Sequence, residues 1–580
     1  MAKIRKIEIE NFRSIKSLTW MPAPGINCLI GPGDIGKSTL LDAIDLCLGA
    51  RRTISISDAD FHQLDINQPI SITLTLGDLE DCFKNIENYG LYLQSFNDED
   101  GVIHEEPRRD LETVLCLNLT VTSDLEPEWK LISERATELG LSRNIVWKDR
   151  VVLAPMRLGN YENTNFSWSK GSVLNKLSDE PISASDLLAQ VARDARDKFG
   201  SYTEGQLTDS LNIVLRAAQE LGVDIGQSAK AMLDARAVSF TSGAISLHNN
   251  DGIPLRNLGT GSSRLLIAGL NKVSSEISKV ILVDEVEHGL EPHRLVRLLN
   301  AIGAKEKEPL SQVFITTHSP VALRELSGHQ LFVVRRNIDG HKVKCVGMAD
   351  EMQGAIRSDP ESFLSSTVIV CEGASEVGFI RGIDECRVFD GELSLGAKGV
   401  SYVDAGGGSA KNCLDRAMIY LKLGYKVIAF LDSDLPFPPE FAEDFKSRGG
   451  TFIAWREGRN IENELFLSLP NEAIDLLIER AIQLKDRQTV DNHIREASGN
   501  YSLEAVAKER EDAGGYSEEL RNILAKASGI GKRGASWFKS ISKMEGVSKD
   551  IVYPYLDDAD SEFFEIVNRI FVQAYESARD

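Results

Sequence analysis

Apolar and polar residues alternate from Ile4 to Thr19, the pattern of a half-buried strand pair. A short apolar run follows at Gly25-Ile26-Asn27-Cys28-Leu29-Ile30, then a glycine-rich turn. Beyond that turn Leu40, Leu41, Ile44 and Leu48 fall on one face, predicting a helix over Lys37 to Leu48. Gln68 to Leu76 alternates again and predicts a strand, while Asp98-Glu99-Asp100-Gly101 predicts an exposed turn. From about Ser183 to Ala237 the periodicity becomes helical, with few turn residues. Strands are predicted to return at Ala244 to Leu247, Val280 to Val283 and Val313 to Thr316. Asp359-Pro360 marks a boundary. A second set of βα units follows it, with strands at Thr367 to Val370, Val400 to Val403, Val427 to Leu431 and Thr451 to Ala454. From about Asn471 the pattern is mostly helical. This alternation of short apolar runs and helical stretches predicts an α/β protein.

Charge narrows the options. The 580 residues hold 65 Lys+Arg against 87 Asp+Glu, a net charge of −22. That balance excludes a protein that coats nucleic acid through bulk positive charge. It leaves room for local contact with DNA and for carboxylates reserved for metals. A hydrophobic share of 42% excludes disorder as the main theme. The cysteines are scattered, with no CxxC pair, which predicts reduced thiols in a cytoplasmic protein. No run of about 18 apolar residues occurs, so no membrane partner is expected.

Gly31-Pro32-Gly33-Asp34-Ile35-Gly36-Lys37-Ser38-Thr39 fits GxxxxGK[ST] between a predicted strand and a predicted helix. Gly31, Gly33 and Gly36 let backbone N–H groups approach phosphates, Lys37 reaches the β- and γ-phosphates, and Ser38 offers a hydroxyl to Mg²⁺. The strand Val280 to Val283 ends in Asp284 and Glu285. Asp284 is expected at the Mg²⁺ shell, and Glu285 is expected to orient or deprotonate the attacking water. Leu258-Gly259-Thr260-Gly261-Ser262-Ser263-Arg264 opens a helix upstream. Thr316-Thr317-His318 closes a strand downstream, with His318 placed to sense a γ-phosphate.

The second set of βα units carries a different acid pattern. Cys371-Glu372-Gly373-Ala374-Ser375-Glu376 ends one strand, and Asp432-Ser433-Asp434 ends another. In a parallel sheet ligands collect at the C-terminal strand edge. Glu372, Glu376, Asp432 and Asp434 are therefore candidates to hold Mg²⁺ or Mn²⁺, hard ions that take oxygen ligands.

The first constellation resembles ABC-type ATPases of the SMC and RecF kind, as does the opening Ile7-Glu8-Ile9-Glu10-Asn11-Phe12-Arg13-Ser14-Ile15. The resemblance implies ATP as cofactor and a head-to-head homodimer or higher homo-oligomer. Gly259, Gly261 and Ser262 would act on the nucleotide of a partner subunit. Two positions depart from the pattern: Ser-Gly-Gly-Gln is absent, and Val286 stands where proline often follows the Asp-Glu pair. The second constellation, with Gly406-Gly407-Gly408 between its motifs, resembles the Toprim domain. An ATPase followed by Toprim is similar to the OLD ("overcoming lysogenisation defect") family of ATP-dependent nucleases, including the nuclease subunits of Gabija systems. Asp58-Ala59-Asp60-Phe61-His62 adds to that likeness.

This resemblance implies an ATPase part over 1–182, a helical dimerisation insertion over 183–237, and a second ATPase part over 238–358. A Toprim nuclease domain with a helical C-terminal part then covers 359–580. It implies two divalent ions, a third acid at Glu462 (or Glu464), and a catalytic lysine at Lys539 after Trp537-Phe538, with Lys532 second. Double-stranded DNA is the implied substrate, a helicase a possible companion, and anti-phage defence the implied setting. The alternative is a RecF-type binding or signalling ATPase with Toprim as an inert scaffold.

Overall fold

The computed structural model describes residues 2–50, 54–158, 246–273, 280–307, 309–435, 438–499, 501–531 and 536–579, with single positions and short runs between 188 and 214. The expected helical insertion at 183–237 and the candidate Lys532 lie largely or wholly outside the described residues. The chain divides into two compact units. One comprises Met1–Leu29, Gly36–Leu326 and Asn337–Lys342, and the other Ile30–Ile35, Ser327–Arg336 and Val343–Asp580.

In the first unit, Met156–Leu158, Val280–Val283, Gln312–Thr316 and Ile26–Ile30 form parallel neighbours in that order. Every residue of the last three strands is buried. Their near-continuous apolar runs are what a strand covered on both faces requires. An antiparallel ladder joins Ile15–Trp20, Lys3–Phe12, Ile70–Gly77 and Glu112–Val121. Leu93–Phe96 and Pro127–Ile132 flank its last strand. The predicted alternation of Ile4 to Thr19 is this hairpin, with Ile4, Ile7, Ile9, Phe12, Ile15 and Leu18 turned inward. Arg13, in the hairpin turn, has φ 48° and is tied down by the Asp58–His62 segment. Its N–H donates to Asp60 O at 2.8 Å, and its carbonyl meets His62 Nδ1 at 2.8 Å.

The helix Lys37–Leu48 and the strand Val280–Val283 match the sequence pattern residue for residue. Half of the expected strand at Ala244 to Leu247 lies outside the described residues. Just beyond it, His248 and Pro254 form an isolated bridge.

In the second unit a four-stranded sheet has the order Val400–Asp404, Thr367–Cys371, Lys426–Leu431, Thr451–Ala454. All neighbours are parallel. The chain starts in an inner strand, visits one edge, then returns to the other side of that first strand. The order reverses between Thr367–Cys371 and Lys426–Leu431, which makes a topological switch point. The helical remainder packs into a large apolar core with the sheet, anchored by Phe379, Phe430, Trp455, Phe466, Trp537 and Phe563.

Candidate nucleotide and metal sites

The loop Gly31–Gly36 is shaped by its glycines. Gly31 has φ 142° and Gly36 φ 90°, and a Cβ at Gly36 would lie 2.8 Å from Ser14 Oγ. A Cβ at Gly33 would meet nothing within 4 Å, so the loop is open there. Lys37, only 5% exposed, begins the helix, and Thr39 Oγ1 sits 3.0 Å from Ser14 Oγ. Ser38 Oγ donates to Asp284 Oδ1 at 3.0 Å. Thr316 Oγ1 donates to the same oxygen at 2.6 Å and accepts from Glu285 N at 2.8 Å. The structure thus brings Ser38 and Asp284 together across 246 residues of sequence.

Glu285 is exposed and held at φ 46°, a conformation a non-glycine residue adopts only under constraint. The departure at Val286 has a backbone reason. Val286 N donates to Thr316 O at 3.0 Å, a bond proline cannot make. His318 lies at the same edge. Burial, then the charge of Lys37, hold its pKa below the ordinary histidine value. Glu287 was not singled out by the sequence, yet it fixes this edge. Its Oε1 accepts from His318 N at 2.7 Å and its Oε2 from Thr317 Oγ1 at 2.6 Å. Its position in the turn after Asp284-Glu285 was the available signal.

The turn at Gly259–Ser263 divides into a free part and a committed part. Gly259 is exposed with open space around it. Gly261 is buried, and a Cβ on it would run into Gly289 O. Ser262 Oγ accepts from Arg294 Nη1 at 3.0 Å, and Arg264 Nη1 donates to Glu285 O at 2.8 Å. The turn is therefore locked to the loop behind Glu285 within one chain.

In the second unit the acids gather at the switch point. Glu372 N donates to Phe430 O at 3.1 Å, and its carbonyl accepts from Gly407 N at 2.8 Å. Its carboxylate Oε2 accepts from Asp432 N at 3.2 Å. Gly406, Gly407 and Gly408 all have positive φ (90°, 72° and 105°), which only glycine sustains three times running. Glu376 lies in the first turn of the helix Ala374–Phe389 and accepts from Gly373 N at 2.9 Å. Asp432 Oδ1 accepts from Ile461 N at 3.1 Å, and Asp434 Oδ2 from Asn460 Nδ2 at 3.3 Å. This seats the helix Ile461–Ser468 on the two aspartates.

Glu376 and Glu462 are each 3% exposed. Burial, reinforced by neighbouring carboxylates (Glu462 and Glu372 for the first, Glu376 and Glu462 foremost for the second), pushes the carboxyl groups of Glu376 and Asp432 far above the usual range. Burial also raises Glu372 and Glu462, and the charge of Lys539 opposes the rise in both. Glu462 Oε1 is buried with no hydrogen-bond partner. Glu464 is different in kind. Its buried carboxylate is bound by Arg456, Arg459 and Ser468 and its pKa is lowered, so it is committed to an internal ion-pair network. Lys539 is exposed, while Trp537 and Phe538 before it are fully buried. Trp537 Nε1 donates to His493 Nδ1 at 3.1 Å, pinning the segment. Among the described residues, no group of three or more His, Cys, Asp or Glu side chains is arranged to hold a metal ion.

Against known protein families, the description "AAA domain, putative AbiEii toxin, Type IV TA system" matches residues 26–324, more than half of the chain. The chain belongs to this family. The family match runs from the strand before the glycine loop to just beyond His318. It takes in Lys37, Gly259–Ser262, Asp284 and Glu285, and assigns the first unit to an ATP-binding ATPase. It ends before Glu372, so the acids of the second unit lie outside it. The DNA replication and repair protein RecF of Chlorobium limicola is 36% identical over 58 residues, 10% of this chain and 16% of RecF. RecF of Moorella thermoacetica is 44% identical over 48 residues, 8% of this chain and 13% of RecF. The chain thus spans less than a fifth of these relatives. Among solved structures, a Smc head bound to the C-winged helix domain of ScpA is 17% identical with TM-score 0.33, covering 59% of this chain and 96% of that one. The SMC head domain from Thermotoga maritima is 12% identical with TM-score 0.27, covering 60% and 100%.

No helix among the described residues is long and apolar enough to cross a membrane.

Proposed function

We propose that this ATPase-family chain is a nucleotide-regulated, divalent-metal-dependent DNA endonuclease or nickase whose second unit is a Toprim-type nuclease. The observation that carries this reading is the carboxylate cluster at the switch point. Glu372, Glu376, Asp432 and Glu462 are drawn together in a half-buried to buried setting, with Asp434 at the rim. Like charges held so close are costly without a cation. The orphaned Glu462 Oε1 is an oxygen waiting for one. An all-oxygen donor set fits Mg²⁺ or Mn²⁺.

When bound, the cation supplies Lewis acidity and a water nucleophile at neutral pH. The chain's own residues do the rest. Glu372 is fixed by Asp432 N–H and Glu376 by Gly373 N–H, so their oxygens stay near the sheet edge. Lys539, exposed on a segment anchored by Trp537, brings positive charge to a phosphate and offsets what develops there in an in-line displacement. Double-stranded DNA is the proposed substrate. A homodimer would join exposed Gly259 of one subunit to the nucleotide of the other. Anti-phage defence, with or without a helicase companion, is the proposed setting.

The competing reading is a RecF-type binding ATPase with an inert second unit. It draws on the short stretches that match RecF. Plasmid nicking with Mg²⁺ or Mn²⁺ separates the two. The nuclease reading requires cleavage by the native chain and loss of it in Asp432→Ala and Glu462→Gln, while nucleotide binding persists in both.

A further inference from the structure

The loop and turn motifs leave one side chain at the nucleotide site unexplained. Arg157 stands on Met156–Leu158, next to the strand that ends in Asp284, with Arg157 paired in register to Leu282. Its Nη1 lies 2.7 Å from Asp42 Oδ1 and 3.2 Å from Asp45 Oδ2, both on the helix that Lys37 opens. Its Nη2 lies 3.8 Å from Asp284 Oδ2. The other oxygen of Asp284 is the one that meets Ser38 and Thr316. One guanidinium therefore ties the helix after the glycine loop to the acid of the neighbouring strand.

We propose that Arg157 is a positioning residue for Mg²⁺–nucleotide: it holds Asp284 Oδ2 so that Oδ1 stays turned toward Ser38, and thereby sets the Mg²⁺ dependence of nucleotide binding. The inference rests on reading Ser38 and Asp284 as the Mg²⁺ edge of a nucleotide site. Three features support it. First, the geometry needs a fork, because opposite Nη groups serve the helix acids and Asp284, and a lysine's single ammonium cannot span them. Second, the pull on Asp284 is light. At 3.8 Å the pair is at the outer limit of ion pairing, while two helix acids hold Arg157 more closely. A cation can therefore share Asp284 without displacing Arg157. Third, the arginine is itself braced. Asp42 also pairs with Arg13 at 2.5 Å, and Arg13 with Asp60 at 2.8 Å. Charges of alternating sign thus run from the hairpin turn to Asp284.

The test uses full-length protein and a fluorescent ATP analogue, titrated with Mg²⁺, with a parallel arm in EDTA. Arg157→Gln and Arg157→Lys should each raise the half-saturating Mg²⁺ concentration about tenfold, the usual cost of losing a group that orients a metal ligand. Binding in EDTA should match the native chain. Arg448→Gln, which breaks only an exposed pair with Asp444, should change neither. Circular dichroism confirms folding, and the lysine variant keeps the positive charge beside Asp42 and Asp45 should the glutamine variant unfold. Native Mg²⁺ dependence in folded Arg157→Lys would overturn the inference, as would an equal loss in both arms, which marks a merely structural role. If the native chain binds no nucleotide, the reading of the site falls first and the inference with it.

Discussion

Glu462 and Glu464 sit two residues apart on one helix and do opposite work. Glu464 is the buried half of an ion pair with Arg456, and Glu464→Gln leaves that arginine only its exposed partners Asp560 and Glu562. Chemical unfolding should show a loss of about 1–3 kcal/mol. Glu462 faces like charges and carries an oxygen without a donor. Glu462→Gln should stabilise the metal-free protein by about 1 kcal/mol, and the rise in Tm with Mn²⁺ expected of the native chain under the proposed function should be absent from it. The pattern Asn460-Ile461-Glu462-Asn463-Glu464 could not separate them, because the deciding partner is a side chain upstream at Arg456. His318 gives a pH prediction. Its folded pKa is depressed, so the unfolded chain binds the proton more tightly. Its stabilising contribution is complete above the ordinary histidine value and is lost as pH falls from there through the lowered folded value. NMR titration should place His318 below free histidine, and Lys37→Ala should move it upward; a midpoint at or above the free value would refute the arrangement.

Helix Ala374–Phe389 carries Glu376 at one end and a close contact along its length. A Cβ at Gly378 would strike Ile541 O, and one at Gly382 would lie 2.5 Å from Glu545 O. These two glycines let the helix rest backbone to backbone on Ile541–Val547, the helix that follows Lys539. Gly378→Val should cost about 1–3 kcal/mol by overpacking. It should lower metal-dependent cleavage while nucleotide binding stays native, since only the second unit is disturbed. Unchanged cleavage would mean that this packing does not place Lys539. Elements with one clear period were legible in the sequence: Lys37–Leu48 by its helical stripe, Val280–Val283 by an unbroken apolar run. Leu93–Phe96 was not, because all four of its residues are buried and no alternation shows. Pro127–Ile132 was hidden for another reason, since it opens on a proline and its burial varies only between half-buried and exposed along most of its length.

Across the whole molecule, the surplus of 87 acids over 65 bases looked adverse to DNA. The fold shows that part of the surplus is concentrated where parallel strands end: Asp284 and Glu285 in one unit, and Glu372, Glu376, Asp432, Asp434 and Glu462 in the other. The sequence motifs located three of these strand ends because Asp284, Glu372 and Asp432 each follow an apolar run, whereas Glu462 was reached only through the family resemblance. They did not reveal Glu287 or Arg157, whose roles depend on neighbours brought in by strand pairing. Nor could motifs show that Gly261 is spent on packing against Gly289 while Gly259 stays open. If nucleotide governs the second unit, Lys37→Ala should change the ATP response of cleavage and leave its metal requirement as it was. The most direct test of the central claim is plasmid nicking in Mg²⁺ or Mn²⁺ by the native chain beside Asp432→Ala. The account predicts nicking by the native chain and none above background by the variant. Equal cleavage by both proteins would contradict it.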